Sequence, residues 1–344
     1  NGNWDTPQTV TITGVDDALV DGSQTTTTTL SVVDASSDND FDGVADQTVS
    51  VSTTDNDTAG FTVAESGGST TVAETGSTDT FTVVLDAQPT SDVVISVVSS
   101  DTGEATVSAG TLTFTNGNWD TPQTVTITGV DDAPIDGSQT STVTVSIVDA
   151  SSDDDFDSVP DRTVSVTTID NDVAGFTIAE TGGSTSVAET GTTDTFTVVL
   201  NAQPASDVVF AIASSDTGEA TVTSALTFTN GNWDTPQTVT VTGVDDDLVD
   251  GTISSTITVS VNDGSSDDDF DGVADQTVTA TTTDDDVAGF TIAETGGSTS
   301  VSESGTTDTF TLVLNAQPDS DVVFAITSSD TGEATVTSTL TFTN

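Results

Sequence analysis

The sequence predicts an all-β chain built from tandem antiparallel β-sandwich domains. Apolar Val, Ile, Leu and Phe alternate with Thr and Ser, as in residues 81–83 and 124–127. Alternation with a period of two is typical of strands with one buried face. The motif NGNWDTPQTV also begins three times, at Asn1, Asn116 and Asn230. A repeat of this length indicates whole domains in tandem, because the turns of a solenoid recur at much shorter intervals.

Domain boundaries are predicted at the acidic triplets, which end at Asp57, Asp172 and Asp286, shortly before a Gly-Phe pair. Because the chain begins and ends inside a repeat, we expect it to be an excerpt of a longer chain. Each complete repeat is long enough to bury its own core. The predicted segments are the C-terminal half of a repeat (1–57), two complete repeats (58–172 and 173–286) and the N-terminal half of a further repeat (287–344).

Each complete repeat is predicted to contain seven or eight short strands separated by turn-forming residues such as Gln88-Pro89 and Asp136-Gly137. About 110 residues of evenly spaced strands without helical periodicity are typical of an immunoglobulin-like sandwich. The linkers between repeats are very short, so we expect the sandwiches to stack end to end in a rod. The strands of the first complete repeat are expected around residues 61–63, 70–72, 80–85, 93–98, 112–114, 124–128, 142–148 and 163–167.

The composition excludes most catalytic chemistry and several classes of partner. The chain has 57 acidic residues, one basic residue, a formal net charge of −56, and no His or Cys. It therefore lacks the groups for a Ser/His/Asp or Cys/His nucleophile system or for a His- or Cys-ligated zinc site. Nucleic acids and anionic membrane surfaces require a basic face, so neither is an expected partner. The sequence has no apolar run long enough to predict a segment that spans a membrane. Cations are the expected partners.

Four short motifs follow one another in a fixed order within a repeat. In the first complete repeat they are Val-Ala-Glu at residues 72–74, Leu-Thr-Phe at 112–114, Gly-Val-Asp-Asp at 129–132 and Asp-Asn-Asp at 170–172. In this order and spacing they resemble the Calx-β domain and, more broadly, the Calx-β-like and cadherin-like repeats of giant bacterial extracellular adhesins. The resemblance covers the whole chain. It implies a secreted bacterial protein of the cell surface, built from immunoglobulin-like (Calx-β-like) sandwiches.

The same resemblance implies that Ca²⁺ is bound by carboxylates at one end of each sandwich. Calcium takes about six to eight oxygen ligands, and clustered carboxylates repel one another without a cation. The alternative, that these acids form turns and supply solubilising charge, stays open. The implied ligands are Asp16, Asp17, Asp21, Asp55 and Asp57 in the first half-repeat, Glu74, Glu104, Asp131, Asp132, Asp136, Asp170 and Asp172 in the first complete repeat, and Glu189, Glu219, Asp245, Asp246, Asp250, Asp284 and Asp286 in the second.

A second candidate calcium site lies in the last long loop of each repeat. Its spacing, D-x-D-x-D-G-x-x-D, resembles the start of an EF-hand-like or thrombospondin-type loop, in which alternate carboxylates converge on one ion. Ser158 replaces the Gly in one copy, so a purely structural hairpin loop is the alternative. The candidate ligands are Asp38, Asp40, Asp42, Asp46, Asp153, Asp155, Asp157, Asp161, Asp267, Asp269, Asp271 and Asp275.

These observations predict a structural protein without enzymatic activity: a calcium-rigidified extracellular rod that serves as the stalk of a giant surface adhesin or as an extracellular fibre. Its expected partners are calcium ions, neighbouring repeats of the same chain, and identical chains in a fibre or bundle. One alternative is a self-assembling filament or surface-layer subunit, in which residues 287–344 of one subunit complete residues 1–57 of the next. Another is a carboxylate-based polysaccharide hydrolase, although an active site copied into every repeat argues against it.

Overall fold

The computed structural model describes residues 2–344 as an all-β chain. Asn1, the first residue of the predicted half-repeat, lies outside the described residues. The chain forms two compact units: residues up to Asp132 together with Asp136–Asn171, and Ala133–Ile135 together with Asp172–Asn344. Within residues 2–344, every helix is a three-residue 3-10 turn. None of these helices has the length and apolar character needed to cross a membrane.

The first unit contains one complete sandwich and a two-stranded sheet. Its strands are β1 (Gln24–Leu30), β2 (Gln47–Thr53), β3 (Phe61–Glu65), β4 (Thr70–Ala73), β5 (Thr78–Leu85), β6 (Val93–Ser99), β7 (Ala105–Val107), β8 (Thr111–Phe114), β9 (Gln123–Gly129), β10 (Gln139–Ile147) and β11 (Arg162–Ile169). Strands β1 and β2 pair with each other. The sandwich packs the sheet β3-β5-β9-β7 against the sheet β4-β11-β10-β6-β8.

The second unit repeats this arrangement. Its strands are β12 (Phe176–Glu180), β13 (Thr185–Ala188), β14 (Thr193–Leu200), β15 (Val208–Ser214), β16 (Ala220–Val222), β17 (Ala225–Phe228), β18 (Gln237–Gly243), β19 (Ile253–Val261), β20 (Gln276–Thr283), β21 (Phe290–Glu294), β22 (Phe310–Leu314), β23 (Val322–Ala325) and β24 (Thr339–Phe342). The two sheets of its sandwich are β12-β14-β18-β16 and β13-β20-β19-β15-β17, while β21-β22 and β23-β24 form two small sheets.

All eight strands expected for residues 58–172 are present, and the structure adds β7, which is too short to give a clear alternation. The sandwiches are antiparallel apart from one pairing in each: β4 runs parallel to β11, and β13 runs parallel to β20. A kink between β3 and β4 causes this, because Gly67 and Gly68 have φ values of 73° and 82°. Gly adopts positive φ at little cost, and the kink carries the chain from one sheet to the other.

The core of each sandwich follows directly from the alternation. In β5, Phe81, Val83 and Leu85 are buried, whereas the Thr and Val residues between them are partly exposed. The buried apolar cluster of the first unit also contains Val20, which precedes β1 and is 9% exposed. Burial of apolar surface, at about 25 cal/mol per Å², is the main stabilising contribution. The polar ends of the strands are left to carry the acidic residues.

Candidate metal centre

The early Glu of each complete repeat is fixed in place by a backbone hydrogen bond. The Glu74 N–H donates to the carbonyl oxygen of Ile169 at 3.1 Å, and the Glu189 N–H donates to that of Thr283 at 3.1 Å. Both Glu side chains are 1% exposed. A carboxylate buried this deeply needs compensation from hydrogen bonds, a proton or a cation. Glu74 and Glu189 are therefore the first two side chains at this end of the sandwiches that need such compensation.

A glycine brings the Asp pair close to the early Glu. A Cβ atom on Gly129 would overlap the carbonyl oxygen of Ala73, the residue before Glu74, and Gly243 has the same relation to Ala188. Any side chain at these two positions would push the Gly-Val-Asp-Asp corner away from β4 or β13. The motif therefore needs Gly at this position, because the backbone of the corner lies too close to the backbone of Ala73 or Ala188 for a side chain to fit.

The acid before the middle hairpin supplies a second Glu at the same end of the sandwich. The carbonyl oxygen of Glu104 accepts hydrogen bonds from Val130 N at 2.9 Å and from Thr168 Oγ1 at 3.3 Å. In the second repeat, the carbonyl oxygen of Glu219 accepts from Val244 N at 2.8 Å. These bonds tie each Glu backbone to the residue before the Asp pair, so Glu and Asp side chains belong to one cluster.

Carboxylate oxygens of these residues converge on common points. Within each convergent group among the described residues, one oxygen from each of three side chains lies within 4.8 Å of the other two. We call these clusters the acidic poles. They include Glu104, Asp132 and Asp136 in the first unit, and in the second unit Glu189, Glu219 and Asp250, as well as Glu189, Asp284 and Asp286. Glu189 belongs to both groups of the second unit, so the two groups share one side chain.

Several oxygens of the poles have no hydrogen-bond partner. Glu74 Oε1, Glu104 Oε2, Glu219 Oε2 and Asp250 Oδ1 are buried and accept no hydrogen bond. The side chain of Glu219 is 7% exposed, so water has little access to it. A buried oxygen of an ionised carboxylate is costly when it is unpaired. A cation at the convergence point would remove that cost.

Burial and mutual repulsion raise the pKa of several carboxyls at this end of the sandwiches. For Glu219, burial is the main cause of the raised pKa, and the negative charges of Asp250 and Asp216 add to it. Raised pKa values mean that the anionic forms are disfavoured without a cation, and a bound divalent ion would reverse this. Burial is also the main cause of the raised pKa of Glu74, Glu104, Asp132, Glu189, Asp250 and Asp286.

The first Asp of the closing triplet anchors the loop that follows the Asp pair. Asp284 Oδ2 accepts a hydrogen bond from Gly251 N at 2.8 Å, and Asp170 Oδ2 accepts from Gly137 N at 2.8 Å. Asp284 Oδ1 also accepts from Asp286 N at 2.6 Å. Asp284 is therefore both a loop anchor and a member of a convergent group.

Asp17 and Asp55, two predicted ligands of the half-repeat before Phe61, accept backbone hydrogen bonds, but among the described residues neither belongs to a convergent group. Asp55 Oδ2 accepts from Gly22 N at 2.9 Å and from Asp21 N at 3.1 Å, and Asp17 Oδ1 accepts from Leu19 N at 3.0 Å. Backbone hydrogen bonds from Asp57 and Gly22 lower the pKa of Asp55. Within residues 2–344, none of the convergent groups includes Asp16, Asp17, Asp21, Asp55 or Asp57.

The acidic cluster of the long loop is arranged differently. Asp153 is 4% exposed, and its Oδ2 accepts from Thr90 Oγ1 and Ser91 N, both at 2.7 Å. Burial alone would raise the pKa of Asp153, but these hydrogen bonds and that from Asp155 N lower it. Asp267 forms the corresponding bond with Ser206 N at 2.6 Å. One Asp in each of these loops therefore fastens the loop to the sandwich.

The other acids of this loop do not converge in the structure. Across the described part of the chain, the convergent groups contain none of the twelve loop candidates, from Asp38 to Asp275. In the second complete repeat, Asp269 N donates to Asp267 Oδ1 at 3.2 Å, which closes a local turn. Calcium binding in this loop stays a prediction. The hydrogen bonds of Asp153 and Asp267 indicate a structural role for these two residues.

Sequence reasoning missed three acidic or amide side chains of the poles. Asn171 donates from its backbone N to Glu74 Oε2 at 3.1 Å and from Nδ2 to Asp131 Oδ1 at 3.1 Å, so it links two candidate ligands. Asp101 and Asp216 add negative charge beside Glu104 and Glu219. The recurrence of the sequence Asp-Thr-Gly-Glu at residues 101–104 and 216–219 was the signal for the last two.

The fold and the poles together define a tandem β-sandwich chain with clusters of carboxylates at its strand ends that could hold a metal ion. No family model and no curated protein matches this chain. Among solved structures, domains 4 and 5 of the S-layer protein SbsC are similar at 19% identity and a TM-score of 0.28, over 65% of this chain and 97% of that chain.

The calcium binding domain CBD12 of CALX1.1 is similar at 17% identity and a TM-score of 0.26, over 58% of this chain and 79% of that chain. The apo form of the Calx CBD1 domain is similar at 17% identity and a TM-score of 0.25, over 32% of this chain and 98% of that chain. These values are too low to carry a functional conclusion, so function is inferred from the poles themselves.

Proposed function

We propose that this chain is a structural repeat segment of an extracellular protein and that its acidic poles bind Ca²⁺. One observation carries the proposal: Glu219 Oε2 and Asp250 Oδ1 are buried and unpaired, in a group where carboxylate oxygens of Glu189, Glu219 and Asp250 lie within 4.8 Å of one another. Such an arrangement is unfavourable for free carboxylates and favourable for carboxylates that share a cation.

The donor set favours calcium over other cations. Every candidate ligand is an oxygen, and the chain has no His or Cys for softer metals. Magnesium requires a compact octahedral shell and retains several waters, whereas calcium accepts irregular clusters of carboxylates from different loops. The poles draw their acids from the end of β4 or β13, the hairpin before β7 or β16, the corner after β9 or β18, and the closing triplet. This irregular origin suits calcium.

A structural role is supported by the repetition of the poles. The same acids recur in the sequence of both complete repeats, next to the ends of strands. A polysaccharide hydrolase would need an accessible acid pair beside a substrate groove, but Glu189 and Glu219 are 1% and 7% exposed. We therefore propose that the ions stiffen a stalk or fibre at the cell surface, where calcium is abundant enough for weak extracellular sites to be filled.

Calcium titration of the full chain tests this function. Isothermal calorimetry should detect binding, and calcium at about 100 times Kd should stabilise the fold by about 2.7 kcal/mol against thermal unfolding. E189Q should remove a large part of this stabilisation because Glu189 belongs to two convergent groups.

Glu303 provides a matched control for E189Q. It occupies the same position of the repeat motif within residues 287–344, where it is exposed, so E303Q should leave the calcium effect unchanged. The proposal fails if a chelator leaves the melting temperature of the wild-type chain unaltered, or if E303Q and E189Q behave alike.

A further inference from the structure

An apolar side chain lies directly before the last Asp of each acidic loop. Val20, Ile135 and Val249 directly precede the last Asp of their loops, Asp21, Asp136 and Asp250. The neighbouring residues are acidic or small, or have turn-forming character, apart from Leu19 and Leu248. An apolar residue beside several carboxylates is unfavourable in water unless it is covered. Its recurrence in three loops indicates that something covers it.

In the second unit, the residue that covers this loop belongs to the following repeat. Val249 N donates to the carbonyl oxygen of Gln317 at 3.0 Å, and Gln317 N donates to that of Asp247 at 2.6 Å. Leu248 and Gln317 thereby form a parallel β-bridge. The Val249 side chain faces a cavity lined by the apolar residues Ala288, Phe290, Leu314, Ala316 and Pro318.

The first unit contains the same connection. Val20 N donates to the carbonyl oxygen of Gln88 at 2.9 Å, and Gln88 N donates to that of Ala18 at 2.7 Å. Val20 is a member of the buried cluster that includes Phe61 and Leu85. Residues 133–135 belong to the second unit, where Gln203 N donates to the carbonyl oxygen of Ala133 at 2.8 Å. The connection is therefore a property of the repeat, since it occurs in three copies.

The loop is also fixed to its own acidic pole. Asp246 Oδ1 accepts from Leu248 N at 2.7 Å, and Asp284 Oδ2 accepts from Gly251 N at 2.8 Å. Asp250, the residue after Val249, belongs to a convergent group with Glu189 and Glu219. Two adjacent residues thus face different environments: the carboxylate of Asp250 faces the pole, and the side chain of Val249 faces the next repeat.

We propose that residues 18–20, 133–135 and 247–249 are latches, through which each repeat completes the core of the repeat that follows. Cation binding at one pole then stabilises the following repeat, because the ion fixes Asp250 and with it Val249. The docking half of this inference is independent of calcium, whereas the ion-coupled half rests on the function proposed above. The direction is set by the chain: stability passes from a pole to the repeat on its C-terminal side.

Docking is tested in the full chain by amide hydrogen exchange. V20S should speed exchange of the Gln88 amide, which donates to Ala18, and of the Asp86 amide, which donates to Gly60, by about tenfold. V15S is the control, since Val15 is 85% exposed in the same segment. Unchanged protection of both amides in V20S, or an equal effect of V15S, would overturn the latch.

A backbone variant tests the same contact without altering an apolar side chain. Q88P removes the N–H that donates to Ala18, while Q88A retains it, and both remove the side-chain bond from Gln88 Nε2 to the carbonyl oxygen of Asn116. The Val20 amide should exchange about tenfold faster in Q88P than in Q88A. Equal exchange in the two variants contradicts docking through this bridge.

Ion coupling is read in the second unit with V249S and the control V287S, whose Val287 is 75% exposed. In the wild-type chain and in V287S, calcium should slow exchange of the Gln317 amide by about tenfold. V249S should bind the same number of calcium ions per chain in calorimetry, but calcium should no longer slow exchange of its Gln317 amide. Equal slowing in V249S would overturn the coupling alone. Absence of calcium binding in the wild-type chain would overturn the proposed function and the coupling, while the V20S and Q88P results would still decide the docking.

Discussion

The acidic pole and the acidic long loop of the second repeat have similar composition but opposite electrostatic arrangements. At the pole, Glu219 is 7% exposed, keeps an unpaired oxygen and has a pKa raised mainly by burial. In the loop, Asp267 is 6% exposed, yet hydrogen bonds from the backbone and side chain of Ser206 lower its pKa despite burial. Both residues were predicted calcium ligands, Glu219 from the resemblance to the Calx-β domain and Asp267 from the spacing of acids in the long loop.

The difference shows what decides the role of a buried carboxylate. The number of nearby acids does not distinguish the two regions, since both are rich in Asp. The supply of N–H and O–H donors does. Ser206 donates to Asp267 from its backbone and from its side chain, whereas Glu219 Oε2 accepts no hydrogen bond and the charges near Glu219 are those of acids. A carboxylate with donors stabilises the fold as an anion, and one without donors stabilises it only with a cation or a proton. The predictions below test this division.

The largest effect is expected from D267A. This change removes a buried anion and leaves Ser206 N without its acceptor, which should cost about 2–3 kcal/mol of unfolding free energy. Because the anchor needs no ion, the loss should be the same in calcium and in chelator. Urea unfolding under both conditions measures it. D268A, which changes an exposed neighbour, should cost far less, and a loss confined to calcium buffer would instead make Asp267 a metal ligand.

The next largest effect is expected from E219Q, whose effect on stability should differ in sign between calcium-free and calcium-containing buffer. Without calcium, a neutral amide relieves repulsion from Asp250 and Asp216, so E219Q should be as stable as the wild-type chain or more stable. With calcium near 100 times Kd, the wild-type chain gains about 2.7 kcal/mol, and E219Q should gain clearly less. Thermal unfolding of both proteins in both buffers checks this. If E219Q were destabilised equally in both buffers, the distinction between carboxylates with donors and carboxylates without donors would be contradicted.

A smaller effect is expected from pH. Glu189 and Glu219 have folded-state pKa values above those of the unfolded chain, mainly because they are buried. The native state therefore binds more protons, and its stability falls as pH rises above 4.5, the ordinary pKa of Glu. Asp153 and Asp267 have lowered pKa values, so their contribution is present above 3.8, the ordinary pKa of Asp, and is lost only at lower pH.

The melting temperature of the calcium-free chain should therefore decline from about pH 4.5 towards neutral pH. Calcium should abolish or reverse the decline, because it binds the ionised carboxylates. Melting curves over this range, with and without chelator, give the comparison. A calcium-free melting temperature that rises steadily with pH would mean that the pole carboxyls are stabilised as anions by other groups.

Sequence reasoning reached the elements that depend on local pattern. Alternation located the eight main strands. The resemblance to the Calx-β domain implied a ligand set that includes Glu104, Asp132 and Asp136, and carboxylate oxygens of these three residues lie within 4.8 Å of one another. Sequence reasoning could not decide whether Asp267 is a calcium ligand or a structural residue of the long loop, because the donor Ser206 lies far away along the chain. It also missed the parallel pairing of β4 with β11, since that pairing depends on a glycine kink and not on alternation.

The smallest effect distinguishes the two poles from each other. The middle residue of the closing triplet is Asn171 in one repeat and Asp285 in the next, and each backbone N donates to the early Glu, at 3.1 and 3.4 Å. Only Asn171 adds a side-chain hydrogen bond, from Nδ2 to Asp131 Oδ1. N171D replaces that donor by a negative charge, so the calcium-free chain should lose about 0.5–1 kcal/mol.

D285N makes the opposite change at the equivalent position of the second repeat. It removes one charge from that pole, so it should stabilise the calcium-free chain slightly and weaken calcium binding, while N171D should strengthen binding. Calorimetric titrations of the two variants, compared with the wild-type chain, measure both shifts. If the two substitutions moved calcium affinity in the same direction, the charge of the middle residue would not set the strength of the pole, and the donors around the carboxylates alone would decide it.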